Sequence, residues 1–261
     1  MPEIFFQQFD FGSVRMRHTC AFHPCARMEK PMKTTGIIGG MSWESSAEYY
    51  RRINESIKDR LGPTHSAQLV MYSMDFHAVA RLELEERWAE LAAILIDATT
   101  RLEKAGADFV IMASNTAHKV ADVVQRSIHV PLLHIADVAA EEIRQSRIST
   151  VGLLGTRFVM EQDFYKERLR ARGIEVVVPD PGQRYYVHNV IYNELCAGKL
   201  ISESREELRT IILDLQRAGA EGVVLACTEL PLLVQAEHTP VRLFDTMALH
   251  VNQTVGLALE E

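Results

Sequence analysis

Residues 104–118 read KAGADFVIMASNTAH, and residues 217–231 read RAGAEGVVLACTELP. Each runs basic residue, Ala-Gly-Ala, acidic residue, apolar run and Ala, which sets Ser114 opposite Cys227. The Ala-Gly-Ala closes a helix, because glycine tolerates the φ > 0 position that follows a helix end. The apolar run is short and β-branched, as suits a strand buried on both faces. Small polar residues then stand at the strand's carboxyl end, before a new helical pattern. In open α/β sheets that edge is where ligands sit.

Two further pairs lie outside this one. GIIGG at 36–40 matches GLLGT at 152–156, and Pro131–Asp137 matches Pro240–Asp245. Three matches in the same order predict two similar lobes facing each other, with one site between them. The period is far too long for a solenoid. Strands are expected at 34–38, 67–73, 109–113, 131–135, 150–154, 175–178 and 222–226, with a last one starting at Leu243. Helical patterns separate them, including long ones over 81–104, 160–172 and 202–218. Alternation of this kind means parallel sheets with right-handed crossovers. The predicted fold class is therefore α/β, with two pseudo-symmetric Rossmann-like lobes. The first takes residues 32–137 plus 244–261, and the second takes 138–243.

Composition narrows the function classes. The chain has 261 residues, 47% of them hydrophobic, enough for two lobes with cores of their own. Its net charge of −7 and lack of a basic stripe disfavour nucleic acid or an anionic membrane as the main partner. No apolar run approaches the roughly 18 residues of a spanning helix. Four scattered cysteines do not make a disulfide framework, and a reducing cytoplasm is the plain reading. Residues 1–31 lack any helical or strand period and read as a disordered leader or upstream extension. They hold His18, Cys20, His23 and Cys25, but four ligating residues within eight positions are too cramped for a zinc site, and no metal is expected.

The candidate chemistry gathers at the strand ends. Gly36–Gly40 lacks the G-x-G-x-x-G spacing of a dinucleotide loop, leaving a tight turn or a loop whose N–H groups approach a small anion. Cys227 lies between a buried strand and a helix start, where backbone N–H groups favour a thiolate. Cys196, inside a helical stretch, reads as packing. Asn115-Thr116 and Thr228-Glu229 flank the two central residues; they could simply cap helices or could hold a carboxylate between two helix starts. Lys166 is placed to neutralise that carboxylate, or else is a solvated lysine. His118, one turn in, is a weaker acid/base candidate.

These residues carry a resemblance. GIIGGMSWES (36–45), SNTAHK (114–119), PLLHIAD (131–137), VGLLGT (151–156), GVVLACTELPLL (222–233) and LFDT (243–246) resemble the aspartate/glutamate racemase family. MSWES, DFH at 75–77 and EQDFY at 161–165 are most similar to its amino-acid racemases, broad-specificity members included. The likeness spans Met32 to the C-terminus. It implies a cofactor-independent racemase, a small amino-acid substrate such as aspartate or glutamate, and a homodimer. It also implies two cysteines flanking the substrate Cα, one removing the α-proton and the other returning one. Those positions fall on Ser114 and Cys227, and the family's substrate contacts fall on Met41, Asn115, Thr116, Thr228 and Lys166, with Glu229 beside them.

Ser114 departs from the two-cysteine pattern. A thiol ionises near pH 8.5, so modest help yields a thiolate, whereas a serine hydroxyl needs a base beside it. Cys227 therefore suits proton abstraction, and Ser114 suits donation or relay. A single cysteine also leaves open a decarboxylase or one-base isomerase of a small dicarboxylate, or a non-catalytic dicarboxylate-binding relative.

Overall fold

The computed structural model describes residues 31–260. The leader expected at the N-terminus, with its His18, Cys20, His23 and Cys25, falls almost wholly outside the described residues. The chain opens with β1 (Thr35–Gly39), α1 (Trp43–Leu61), β2 (Leu69–Ser73), α2 (Phe76–Leu84), α3 (Trp88–Lys104) and β3 (Phe109–Met112). A 3₁₀ turn over Thr116–Val120 leads into α4 (Ala121–Gln125), β4 (Leu132–Leu133) and α5 (Ile135–Gln145). The second half has β5 (Thr150–Gly155), α6 (Arg157–Glu161), α7 (Asp163–Arg170), β6 (Glu175–Val177), α8 (Pro181–Asn193) and α9 (Ser202–Arg217). It closes with β7 (Gly222–Ala226), α10 (Leu230–Leu233), β8 (Arg242–Asp245) and α11 (Thr246–Leu259).

Two four-stranded parallel sheets result, ordered β2-β1-β3-β4 and β6-β5-β7-β8. The orders are the same permutation, and the register repeats too. Gly36 faces Val110 across β1 and β3, and Gly152 faces Val223 across β5 and β7. Both glycines are there for the same reason. A Cβ on Gly36 would come 2.9 Å from Val110 and 3.2 Å from Leu102; one on Gly152 would come 3.0 Å from Val223 and 2.8 Å from Leu215. Leu102 and Leu215 occupy matching places on α3 and α9, which lie directly over the first strand of each sheet.

The third sequence match shifts. Leu132 pairs with Val110 and Leu243 with Val223, so β4 and β8 align Leu132 with Leu243. That makes His134 the mate of Asp245 instead of setting Pro131 against Pro240. Both cap the following helix: His134 Nδ1 accepts from Ala136 N–H, and Asp245 Oδ1 accepts from Ala248 N–H. Phe244 and Asp245, placed in the first lobe on sequence, belong to β8 in the second sheet.

The helices after these last strands cross over. Met247, Val251, Val255 and Ala258 of α11 bury against Ile37, Ile53 and Ile111 of the first lobe. Ile135, Ala136, Ala140 and Ile143 of α5 bury against Val151, Leu153 and Val224 of the second. The exchange ties the lobes together through apolar area, the largest favourable contribution to such contacts.

Two expected helices are broken. The stretch 81–104 divides into α2 and α3 at Glu86, which takes a left-handed φ of 54°. The stretch 160–172 divides into α6 and α7 at Gln162, whose ψ of 159° is extended. Among the described residues no helix is long and apolar enough to cross a membrane.

Candidate active site

The carboxyl ends of the strands meet in a cavity between the lobes. Met41, Ser114, Asn115, Thr116, Cys227, Thr228 and Glu229 all line it. Ser114 follows β3 and Cys227 follows β7, so the sheet permutation puts one central residue on the wall from each lobe.

Two side-chain hydrogen bonds across the cavity obey the same pseudo-symmetry. Thr156, the cap of α6, bonds Thr116 at 3.0 Å. Ser42, the cap of α1, donates to Glu229 Oε1 at 2.9 Å. In each case a helix cap of one lobe holds the residue two places beyond the central position of the other. A third bond has no symmetry mate: Tyr192 Oη of α8 donates to Glu83 Oε2 of α2 at 3.0 Å.

Cys227 is buried, and its thiol donates to Glu229 Oε2 at 3.1 Å. Thr228 Oγ1 donates to the same oxygen at 2.9 Å. Glu229 thus gathers three donors, as a carboxylate at a buried site requires. Burial pushes the Cys227 thiol well above its ordinary value, and the Glu229 carboxylate pushes the same way; the opposing pull of the Glu229 backbone N–H is smaller. The expected helix-start thiolate is therefore corrected. The resting group is a thiol, because α10 is a single turn and a carboxylate lies against the sulfur.

Among the described residues Ser114 has no base at its hydroxyl. Its Oγ accepts from Ala117 N–H at 3.3 Å, while His118 Nδ1 meets its carbonyl oxygen at 2.6 Å. His118 Nε2 accepts from Ile135 N–H, which fixes the neutral tautomer with the proton on Nδ1. Burial drives this imidazole down to about 3. His118 does not line the cavity, so its place as an acid/base candidate gives way to one that holds the Ser114 carbonyl.

Asn115 Nδ2 donates to Thr246 Oγ1 at 3.1 Å, leaving Oδ1 buried without a partner among the described residues. Met41 is buried at the end of the glycine turn. That turn is built for backbone approach: a Cβ on Gly40 would stand 2.1 Å from Met74 O, and Gly40 N–H is taken by Ser46 Oγ at 2.7 Å. The alternative of a small-anion loop loses that donor.

Lys166 lies elsewhere. On α7 its ammonium donates to Glu161 O at 2.9 Å and pairs with Asp163 at 3.2 Å, and it is absent from the cavity wall. Cys196, read as packing, does pack against the core of the second lobe, and from the 3₁₀ turn Leu195–Ala197 it also lines the wall. Sequence reasoning also missed Phe76, Glu83, Thr156, Ile191 and Tyr192. Only Thr156 carried a usable signal, as the helix cap that mirrors Ser42. Among the described residues no cluster of His, Cys, Asp and Glu could hold a metal.

Comparison with known proteins matches residues 38–254 to the Asp/Glu/hydantoin racemase family model. The broad-specificity amino-acid racemase RacX of Bacillus subtilis is 24% identical over 86% of this chain and 97% of its own length. A Yersinia pestis structure assigned provisionally to the Asp/Glu racemases is 45% identical, with a TM-score of 0.81 over 87% of this chain and 100% of that one. PH1733 of Pyrococcus horikoshii OT3, an aspartate racemase homologue, is 37% identical, with a TM-score of 0.76 over 87% and 99%.

Proposed function

The chain belongs to the Asp/Glu/hydantoin racemase family, and from that premise we propose that it is a cofactor-independent amino-acid racemase working between Cys227 and Ser114. One observation carries the reading: a buried thiol bonded to a carboxylate faces a cavity whose opposite lobe offers Ser114 from the matching position. Substrate Cα sits between them. As the α-proton passes to Cys227 Sγ, the thiol's own proton passes to Glu229 Oε2, so no free thiolate accumulates beside the carboxylate. Glu229 is a base acting through sulfur, poised by its 3.1 Å contact. The charge left on Cα spreads into the substrate carboxylate, and Asn115 Oδ1, buried and unpartnered among the described residues, suits the α-ammonium.

Ser114 returns a proton to the other face, and solvent restores its hydroxyl proton as Glu229 releases the one it took. By microscopic reversibility Ser114 must also remove one in reverse, and among the described residues it has no base to help. Turnover is therefore unequal for the two enantiomers. Lys166 was the cation expected to meet a second carboxylate, and it is held on Glu161 and Asp163 instead. Aspartate and glutamate thus enter the test as members of a substrate panel.

The test is chiral chromatography of single enantiomers incubated with the full chain and no added cofactor. Appearance of the opposite enantiomer supports the reading. Release of carbon dioxide from a dicarboxylate would replace it with the decarboxylase reading that one cysteine also permits.

A further inference from the structure

Two carboxylates line the cavity, Glu83 and Glu229, and among the described residues no Lys, Arg or His does. Glu229 is satisfied by Cys227, Thr228 and Ser42. Glu83 takes no part in the proton transfer. It is 2% exposed, and its one side-chain hydrogen bond among the described residues comes from Tyr192. Burial raises it to about 7, against the smaller opposing effect of the Tyr192 hydroxyl. A carboxylate in a dry wall without a countercharge is costly to ionise, and a cation brought beside it relieves that cost.

An amino acid held with Cα between Cys227 and Ser114 must send its side chain along the cavity. Beyond the residues around Cα and Thr156 and Ala226, the wall is Phe76, Ile191, Tyr192, Cys196 and Glu83. The Phe76 and Tyr192 rings stack at 6.4 Å with planes 18° apart, an apolar surface beside the Glu83 carboxylate. The rings offer methylenes an apolar contact, and the Glu83 carboxylate offers a positive group its countercharge. A side-chain carboxylate would instead meet two acidic residues and no cation, a like-charge arrangement that binding sites use to reject ligands.

Resting on the racemase reading above, we propose that Glu83 determines specificity, selecting α-amino acids with a cationic side chain, such as ornithine and lysine, over aspartate and glutamate. The preference expected from the family resemblance is reversed by the charge of this cavity.

The experiment follows α-proton exchange in D₂O by the full-length wild-type chain on L-ornithine, L-lysine, L-aspartate, L-glutamate and L-methionine. The expected kcat/KM for ornithine exceeds that for aspartate by about tenfold or more, the scale of one desolvated charge pair. Glu83→Gln brings that ratio to within about threefold of unity, mostly through KM for the cationic substrates, and Glu83→Asp retains it. If Glu83→Gln does not fold, wild type supplies the readout: KM for ornithine rises as pH falls below about 7 while KM for methionine stays level. Tyr192 and Cys196, the titratable neighbours, are pushed upward by burial and stay neutral there. Preference for the acidic substrates overturns this inference alone, as does a folded Glu83→Gln with an unchanged ratio or a flat ornithine profile. Absence of exchange with all five overturns the racemase reading, and this inference falls with it.

Discussion

Among single residues, a thiol, a hydroxyl and a carboxylate carry the proposed chemistry. Cys227→Ser removes the thiol of the pair, the better of its two proton acceptors, and kcat should fall by roughly 10³-fold or more. Ser114→Cys restores a thiol to the pseudo-symmetric position and should raise turnover, most in the direction where Ser114 must abstract. Glu229→Gln separates two effects. It removes the proton acceptor, so kcat drops by roughly 10–100-fold. It also removes a negative charge beside the sulfur, so the pH midpoint for iodoacetamide alkylation of Cys227 moves down. A midpoint that moves up would contradict the electrostatics. Cys227 and Ser114 were legible in the sequence because both halves place them after the same strand. Glu83 was not, because its partner Tyr192 lies 109 residues away, and only folding brings α2 and α8 to one wall. The protonation of Cys227 was equally hidden, since it depends on burial and on where the Glu229 carboxylate turns.

At the scale of the element, the repeat is a packing constraint. Gly36 and Gly152 let α3 and α9 lie close over β1 and β5, and Gly152→Ala puts a Cβ 2.8 Å from Leu215. Overpacking of this kind costs about 1–3 kcal/mol, to be read as a lower urea midpoint at unchanged m-value. Gly40→Ala should be worse, because its φ of 83° disfavours any side chain and the clash is with backbone that cannot turn aside. An unchanged midpoint for Gly40→Ala would contradict the close approach of Met74. Strand existence and order were legible from short β-branched runs. The helix breaks were not: the apolar period continues across Glu86 and Gln162, and neither residue is a glycine or proline that would announce a stop.

At the scale of the whole molecule, three buried imidazoles join parts of both crossed helices. His118 and His134 rings lie 4.4 Å apart, and His250 of α11 lies 6.1 Å from His118. His250 Nε2 meets Leu133 O at 3.0 Å, and Tyr49 Oη meets its Nδ1 at 3.0 Å. Burial holds His118 down to about 3 and His250 to about 4, and pushes His134 down as well. Unfolded, each titrates near 6.5. Between those values the unfolded chain binds more protons, so stability is full above about pH 6.5 and is lost as pH falls toward 4. Urea midpoints should therefore drop between pH 7 and pH 5, and a rise would refute the neutral cluster. The two-lobe plan was legible in three repeated motifs, and the bounds read from the sequence already set 244–261 with the first lobe and 138–243 with the second; the shifted register of the third motif was not legible, because a two-residue strand leaves little pattern to align. The central claim is that one thiol and one hydroxyl from matching positions face a single Cα. Proton NMR of the α-hydrogen in D₂O, comparing wild type with Cys227→Ser on each enantiomer of the substrate panel, tests it most directly. Wild type should show exchange and inversion, unequal in rate for the two enantiomers, and Cys227→Ser should show neither. Exchange undiminished in Cys227→Ser would contradict the claim.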